Sequence, residues 1–507
     1  MMRKILPGRI LPGVVLAAAI GLGACENKLT VANPNSGNTE RVLGTPADAE
    51  NLLGSYYKRY MTGVYGSTTN LEGMANIFAL MNYSSLANNC MNSHAPFVGA
   101  SNVNSPGNTC NGEQFRLYQI EGEVTRVAST VLAKMDSGLT LGLTDPKTDA
   151  RNLRARAFAE FLRGISLGYV ALMHDSAAII SPTMGTGDDC KPDPFTGVCV
   201  GKLRPYTEVA DSAYAALQRS LDYATTTGTT GTDGFPLPGD WIPSTKSYSQ
   251  AEFVKLVHSY RARLRANMAR TPTERAAADW TAIIADVDAG ITFDDSITTS
   301  TTTFNVLAWR NQYGTRGSWH QMPPFYIGMA DGGTSYAAWI AQPLGDRGAG
   351  NNGFFMVSPD LRFPQGATRS AQQSDFTTTS CTVAASRCKR YFLNRNGGDN
   401  FSGAGWGFSN YDFLRFESWR TRGDAGSARN GSTPIMMLSE MRLLKAEGLY
   451  RKGDYAGAAA LVNVSRTATV DANGRAIGGG LPAITAFDAT TPVPGGAACV
   501  PKVPQAP

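Results

Sequence analysis

Charge is scarce in this sequence, and histidine scarcer still. Only 17% of its 507 residues are Asp, Glu, Lys or Arg, against about 25% in an average soluble domain. The 46 basic and 41 acidic residues leave a net charge of +5, without the basic stripe of a nucleic-acid binder, so no nucleic-acid partner is expected. Coiled coil and charged disorder are excluded as well, because 54 Gly and 27 Pro dilute the charge while 42% of residues are hydrophobic. The four histidines, His94, His174, His258 and His320, are scattered and leave little room for imidazole catalysis or metal chemistry. Also missing are a G-x-S-x-G nucleophile elbow, an H-E-x-x-H metal helix and a G-x-x-x-x-G-K-[ST] phosphate loop. Asp188, Asp189 and Asp193 cluster as a hard cation would require, but without EF-hand spacing, and read as a solvated acidic turn. No catalytic residue, cofactor or metal site is expected, and the chain reads as a non-enzyme.

Long apolar runs are absent too. The longest, residues 11–24 (LPGVVLAAAIGLGA), follows Arg3, Lys4 and Arg9. It has the length of a signal-peptide core and falls short of the ~20 residues a spanning helix needs. It ends in Leu22-Gly23-Ala24-Cys25, small residues before a cysteine that resemble the bacterial lipobox. Cys25 is therefore the expected lipidation site, and acyl chains on it would anchor the protein at about 0.8 kcal/mol per buried methylene. Removing residues 1–24 takes three positive charges with it, so 43 basic and 41 acidic residues leave +2 on the mature chain.

Export permits disulfides. Sequence-near pairing gives Cys90–Cys110, Cys190–Cys199 and Cys381–Cys388, each closing a loop, with Cys499 left over. None has the C-x-x-C spacing of a zinc ribbon. Reduced, inert thiols are the other reading.

Beyond a polar tether over 25–45, helical periodicity dominates from 46 to 291. Its clearest stretch is 149–173, where Phe158, Phe161, Leu162, Ile165, Tyr169 and Leu172 fall on one face, with Arg154, Arg163 and Ser166 elsewhere. Ala155, Ala159, Gly164 and Gly168 would allow close helix approach. Other helices are expected over 46–62, 69–88, 112–136, 206–224, 250–269 and 273–291. From 292 to 430 the periodicity fails, and a long irregular insertion is expected, punctuated by short strands and small helices. Helix returns over 434–451 and 455–466, before an irregular Gly- and Pro-rich tail to 507. In that last pair, Ala446, Tyr450, Gly453, Tyr455 and Ala458 have the spacing of a tetratricopeptide repeat, with Gly453 ending the first helix and Tyr455 filling the wedge at the turn.

The insertion is where the aromatics gather. Five of the seven tryptophans lie in it: Trp309, Trp319, Trp339, Trp406 and Trp419. Tyr313, Phe325, Tyr326, Tyr336, Tyr391 and Tyr411 accompany them, interleaved with polar residues such as Arg310, Asn311, His320, Asn394 and Arg415. Flat aromatic faces beside planar hydrogen-bonding groups suit a sugar ring, and also a peptide; an insertion poor in helix equally needs large side chains for a core of its own. Trp309, Tyr313, Trp319 and Trp406 stand beside Gly or polar residues and are the candidate ligand contacts. Trp339, three residues after Tyr336, reads as helix core.

Taken in order, these features resemble the SusD/RagB family of outer-membrane nutrient-binding lipoproteins. The resemblance is carried by the lipobox at Cys25, the tether Leu29-Thr30-Val31-x-Asn33-Pro34-Asn35, and the helix Ala157-Phe158-Ala159-Glu160-Phe161-Leu162-Arg163-Gly164 followed by Tyr169. It is completed by the run from Leu443 to Asp454 and by Asn463-x-x-Arg466; the family's Gly-Asp-x-Pro turn is replaced here by His174-Asp175-Ser176. The resemblance implies a mostly α fold, a tetratricopeptide-like scaffold whose irregular insertion forms the ligand surface. It implies a lipid-anchored protein exposed at the cell surface, which binds an oligomeric nutrient, a glycan before a peptide. It further implies a partner, a SusC-like TonB-dependent outer-membrane transporter that receives the nutrient. Two other readings stay open: an envelope scaffold for protein–protein contact, and a lipoprotein glycoside hydrolase whose carboxylate pair the sequence does not single out.

Overall fold

The computed structural model describes residues 44–65, 111–142, 149–183, 190–192, 199–226, 228, 233–244, 246–299, short stretches between 322 and 377, 392–394, 411–413, 431–468 and 483–484. Helices α1 (Pro46–Tyr65), α2 (Asn111–Asp136) and α3 (Ala150–Met173) come first. Asp149 starts α3 by accepting the N–H groups of Arg151 and Asn152, which satisfies donors that no helical carbonyl reaches. The apolar stripe of α3 is buried as expected, with Phe158, Phe161, Leu162 and Ile165 all fully enclosed.

Its other faces are not solvated, however. Glu160, Arg163 and Ser166 are buried as well, and Arg154 is only 8% exposed, because α3 is central and touches α1, α2, α4 and α5. Its charges are tolerated through pairing. Arg163 and Arg219 share Glu160 at 2.6 and 2.8 Å, and Glu50 of α1 takes Arg154 at 2.8 Å together with Arg151.

After α3 come the short strands β1 (Ser176–Ala178), β2 (Cys190–Pro192), β3 (Cys199–Gly201) and β4 (Leu203–Pro205), paired antiparallel as β1–β4 and β2–β3. Helix α4 (Tyr206–Thr225) then packs against α3, and α5 (Gln250–Asn267) touches both. Gly164 and Gly168 make this packing possible. A Cβ on them would stand 2.5 Å from Leu217 of α4 and 2.4 Å from Leu264 of α5, respectively. The aromatic core lies here, with Phe161 edge-on to Phe253 and Tyr260 at 5.4 Å and Phe158 at 4.7 Å from Trp241.

The single helix expected over 273–291 is two: α6 (Pro272–Ala277) and α7 (Trp280–Asp288). Thr271 caps α6 with Pro272 in its first turn, and Asp279 breaks the run by capping α7 through the Ala282 N–H. The helix expected from 434 begins four residues later, since 431–436 belong to a strand. That strand, β8, closes the following series: β5 (Asp295–Thr299), α8 (Ser335–Ile340), α9 (Arg369–Thr377), β6 (Phe392–Asn394), β7 (Tyr411–Phe413) and β8 (Gly431–Met436). Pro434 explains the extended chain, because proline pushes its predecessor out of the helical region. β5 and β8 pair antiparallel with Thr299 opposite Gly431, and their register shifts between Asp295 and Ser296, opposite Met436 and Pro434. This two-stranded stem brings both ends of the insertion together.

Helices α10 (Leu438–Arg451) and α11 (Tyr455–Arg466) are the last helices among the described residues. At their turn Gly453 has φ +82°, the left-handed conformation glycine adopts freely, and Asp454 caps α11 through the Gly457 N–H. Tyr455 is 40% exposed and lies 5.4 Å from Tyr450, so it covers the turn and does not fill a closed wedge. Two bidentate pairs fasten α10 to the earlier helices: Arg263 of α5 to Glu440, and Arg275 of α6 to Glu447. From Pro46 onward these elements form one compact unit. Among the described residues no helix is long and apolar enough to cross a membrane, and the helix expected over 69–88 lies outside them.

Candidate ligand-binding surface

The described part of the insertion has a core of its own. Trp339 of α8 stacks on Tyr336 at 5.9 Å and meets Phe354 at 5.0 Å, while Phe363 stacks on Phe392 at 4.2 Å and stands edge-on to Tyr411 at 5.9 Å. Met322, Ile327 and Met356 fill the remainder. Trp339 is thus core, as its spacing predicted.

Tyr411 and Asn394, which the sequence places among the interleaved aromatic and polar residues, are also inside, 0% and 1% exposed. With Gln372 of α9 they form a buried hydrogen-bonded hub. The Tyr411 hydroxyl donates to Gln372 Oε1 at 2.6 Å and accepts the Met356 N–H at 2.7 Å. Asn394 Nδ2 donates to Gln372 Oε1 at 3.0 Å, and Gln372 Nε2 donates to the Met356 carbonyl at 2.6 Å. Burial is the main force pushing the Tyr411 phenol far above its usual range, so it stays neutral and able to donate. Near the start of α8, Asp331 Oδ1 accepts the Gly333 and Val357 N–H groups and Oδ2 that of Tyr336. Four segments distant in sequence are thereby held without long secondary structure.

The candidate contacts Trp309, Tyr313, Trp319 and Trp406 lie outside the described residues, as do Cys25, Cys90, Cys110, Cys381 and Cys388. Cys190 and Cys199 lie on the paired strands β2 and β3, but Cys190 is opposite Gly201 and Cys199 opposite Pro192, so they are not direct partners in register. Gln372 was not visible as a structural residue, because the flanking Arg-Ser-Ala-Gln-Gln-Ser-Asp run has no apolar stripe.

The replaced turn after α3 has its own fastening. Arg270 donates to the carbonyls of Ala171 and His174, pairs with Asp175 and stacks over Tyr206 at 3.7 Å. Orphan carbonyls at the end of α3 are thus satisfied by a side chain from beyond α5. Burial holds the His174 imidazole below its usual pKa, against the pull of Asp175.

No family sequence model matches the chain, and no curated protein matches it. Solved structures do. A SusD-like protein from Bacteroides fragilis aligns at TM-score 0.50 and 11% identity, over 87% of this chain and 80% of that one. A SusD superfamily protein from Parabacteroides distasonis follows at 0.47 and 10%, over 86% and 82%, and the surface glycan-binding protein A from Bacteroides uniformis at 0.43 and 11%, over 87% and 82%. Of these three the first reaches 0.50, and at that identity the likeness concerns the fold. The chain therefore has a mostly helical, SusD-like fold, in agreement with the resemblance carried by its sequence motifs.

Proposed function

We propose that this protein is a lipid-anchored, surface-exposed outer-membrane receptor that binds an oligomeric glycan and delivers it to a SusC-like TonB-dependent transporter, without covalent chemistry. The observation that carries this reading is the SusD-like fold, shared over 87% of the chain with the Bacteroides fragilis protein. The lipobox at Cys25 supports the anchor. The domain plan that goes with it is a signal peptide over 1–24, a tether over 25–45, a helical-repeat region over 46–291, a ligand-bearing insertion over 292–430 and a closing helix pair with its tail over 431–507.

The insertion's own core supports a division of labour among its aromatics. Trp339, Phe354, Phe363 and Tyr411 supply packing, and Trp309, Tyr313, Trp319 and Trp406, which stand beside Gly or polar residues, are the ligand candidates. An indole offers a large flat apolar face on which the C–H side of a sugar ring can lie, and several together give useful affinity. Titration of the purified chain with a panel of oligosaccharides and oligopeptides tests this reading. A glycan should bind and be recovered intact, and Trp309→Ala, Trp319→Ala or Trp406→Ala should each weaken it about ten-fold, the equivalent of ~1.4 kcal/mol. Binding of peptides alone, or release of cleaved sugar, would overturn it.

A further inference from the structure

We propose that the flank of α11 that bears Asn463 is a docking strip for the chain's own C-terminal tail, and that Asn463 is the clamp that holds it. Helix α11 is the last helix among the described residues and has an apolar sequence, YAGAAALVNVSR, yet it buries only Ala458 and Ala459. Leu461 and Val462 are half-buried and Val464 is 51% exposed. The terminal unit of a helical-repeat array has no following repeat to cover it and needs a cap.

The cap attaches through two hydrogen bonds between Asn463 and Ile484. Asn463 Nδ2 donates to the carbonyl of Ile484, and the Ile484 N–H donates back to Asn463 Oδ1 at 3.0 Å. A side-chain amide that exchanges both hydrogen bonds with one residue imitates a neighbouring strand and reads backbone, not side chain. The clamp is itself held in place, since the Asn463 carbonyl accepts both the N–H and the hydroxyl of Thr467, at 3.0 and 2.8 Å. Sequence limits the register on one side, since a slip of two residues toward the N-terminus would present Pro482, which has no N–H to give.

The occupant is thus the tail of the same chain, twenty-one residues beyond the clamp. Hydrogen exchange at the Ile484 amide in the full chain tests the proposal. The wild-type amide should exchange about ten-fold or more slowly than in an unstructured peptide. Asn463→Ala should return it to the peptide rate. Asn463→Asp, which keeps an acceptor for the N–H but sets a carboxylate against the carbonyl, should fall between. A chain ending at Ala468 and the Asn463→Ala chain should melt at the same lowered temperature, and combining the two changes should lower it no further. Exchange at Ile484 that is fast in wild type, or unmoved by Asn463→Ala, would overturn the proposal. So would protection that disappears on dilution, which would assign the docked tail to a second copy.

Discussion

Glu121 on α2 is fully buried, and neither carboxyl oxygen makes a well-formed hydrogen bond. A Cβ at Gly63 of α1 would stand 2.0 Å from its Oε1, so glycine there leaves room for the carboxyl. Burial raises its pKa well above 4.5; the Ser166 hydroxyl of α3 and then Arg59 of α1 pull it partly back, and Glu123 pushes it up again. A folded-state pKa above the unfolded one stabilises the protein below the unfolded value, and that contribution is lost as pH rises through the folded value. Glu121→Gln keeps the shape and cannot ionise. Relative to wild type, this variant should therefore gain at least ~1 kcal/mol between pH 5 and pH 8, the scale of one pKa unit. Thermal melts of both proteins at the two pH values check it, and parallel curves would show that Glu121 ionises freely in the fold. Glu50 has the opposite sign. Burial raises its carboxyl, but the hydrogen bonds and charges of Arg151 and Arg154 win and hold it below the usual range. Its contribution is present above the unfolded pKa of about 4.5 and fades in acid.

Between residue and molecule stand the elements, and here the two halves of the fold are held by different means. The scaffold helices interlock along apolar stripes; the insertion hangs on the Tyr411–Gln372–Asn394 hub. Tyr411→Phe keeps the ring and deletes the hydroxyl, leaving the buried Met356 N–H without its acceptor, at a cost of about 1–3 kcal/mol. Amides of 353–358 and 363–377 should exchange faster in this variant while those of α3 and α5 stay protected, as peptide-resolved hydrogen exchange would read out. Equal loosening of both regions would contradict an insertion with its own hub. The same contrast explains what could be read in advance. Helices α1, α2, α4, α5 and α11 follow the period of their apolar residues, and Thr271-Pro272 marks the start of α6. Residues 356, 372, 394 and 411 meet only in three dimensions, so no local period announces them. Helix α3 follows its period too, but a helix enclosed by its neighbours still has charged residues, and only the packing shows that Arg163 pairs with Glu160. The candidate contacts Trp309, Tyr313, Trp319 and Trp406 were picked from composition and neighbours, signals that do not separate a ligand face from a core.

At the scale of the whole molecule, the stem of β5 and β8 makes the insertion an excursion that leaves and re-enters the scaffold at one point, where Thr299 faces Gly431. Both chain segments then return to the scaffold through α7 and α10, which touch each other, and Glu440 and Glu447 of α10 lock onto α5 and α6. An insertion held by such a stem can vary without disturbing the helices that carry it, which suits the proposed receptor. In the proposed arrangement the other attachment is Cys25, whose acyl chains would bind a bilayer through many methylenes at about 0.8 kcal/mol each. Among the described residues no helix is long and apolar enough to span a bilayer. Cys25→Ser should accordingly shift the protein from the membrane fraction to the soluble fraction, or leave its leader uncleaved, while glycan affinity of the folded chain stays unchanged. Wild-type partition of that variant with membranes would rule out the lipid anchor. Extraction of the wild-type protein from outer membranes in mild detergent should bring a large TonB-dependent barrel with it. A receptor recovered alone under conditions that preserve other outer-membrane complexes would leave glycan binding standing and remove the transporter from the mechanism.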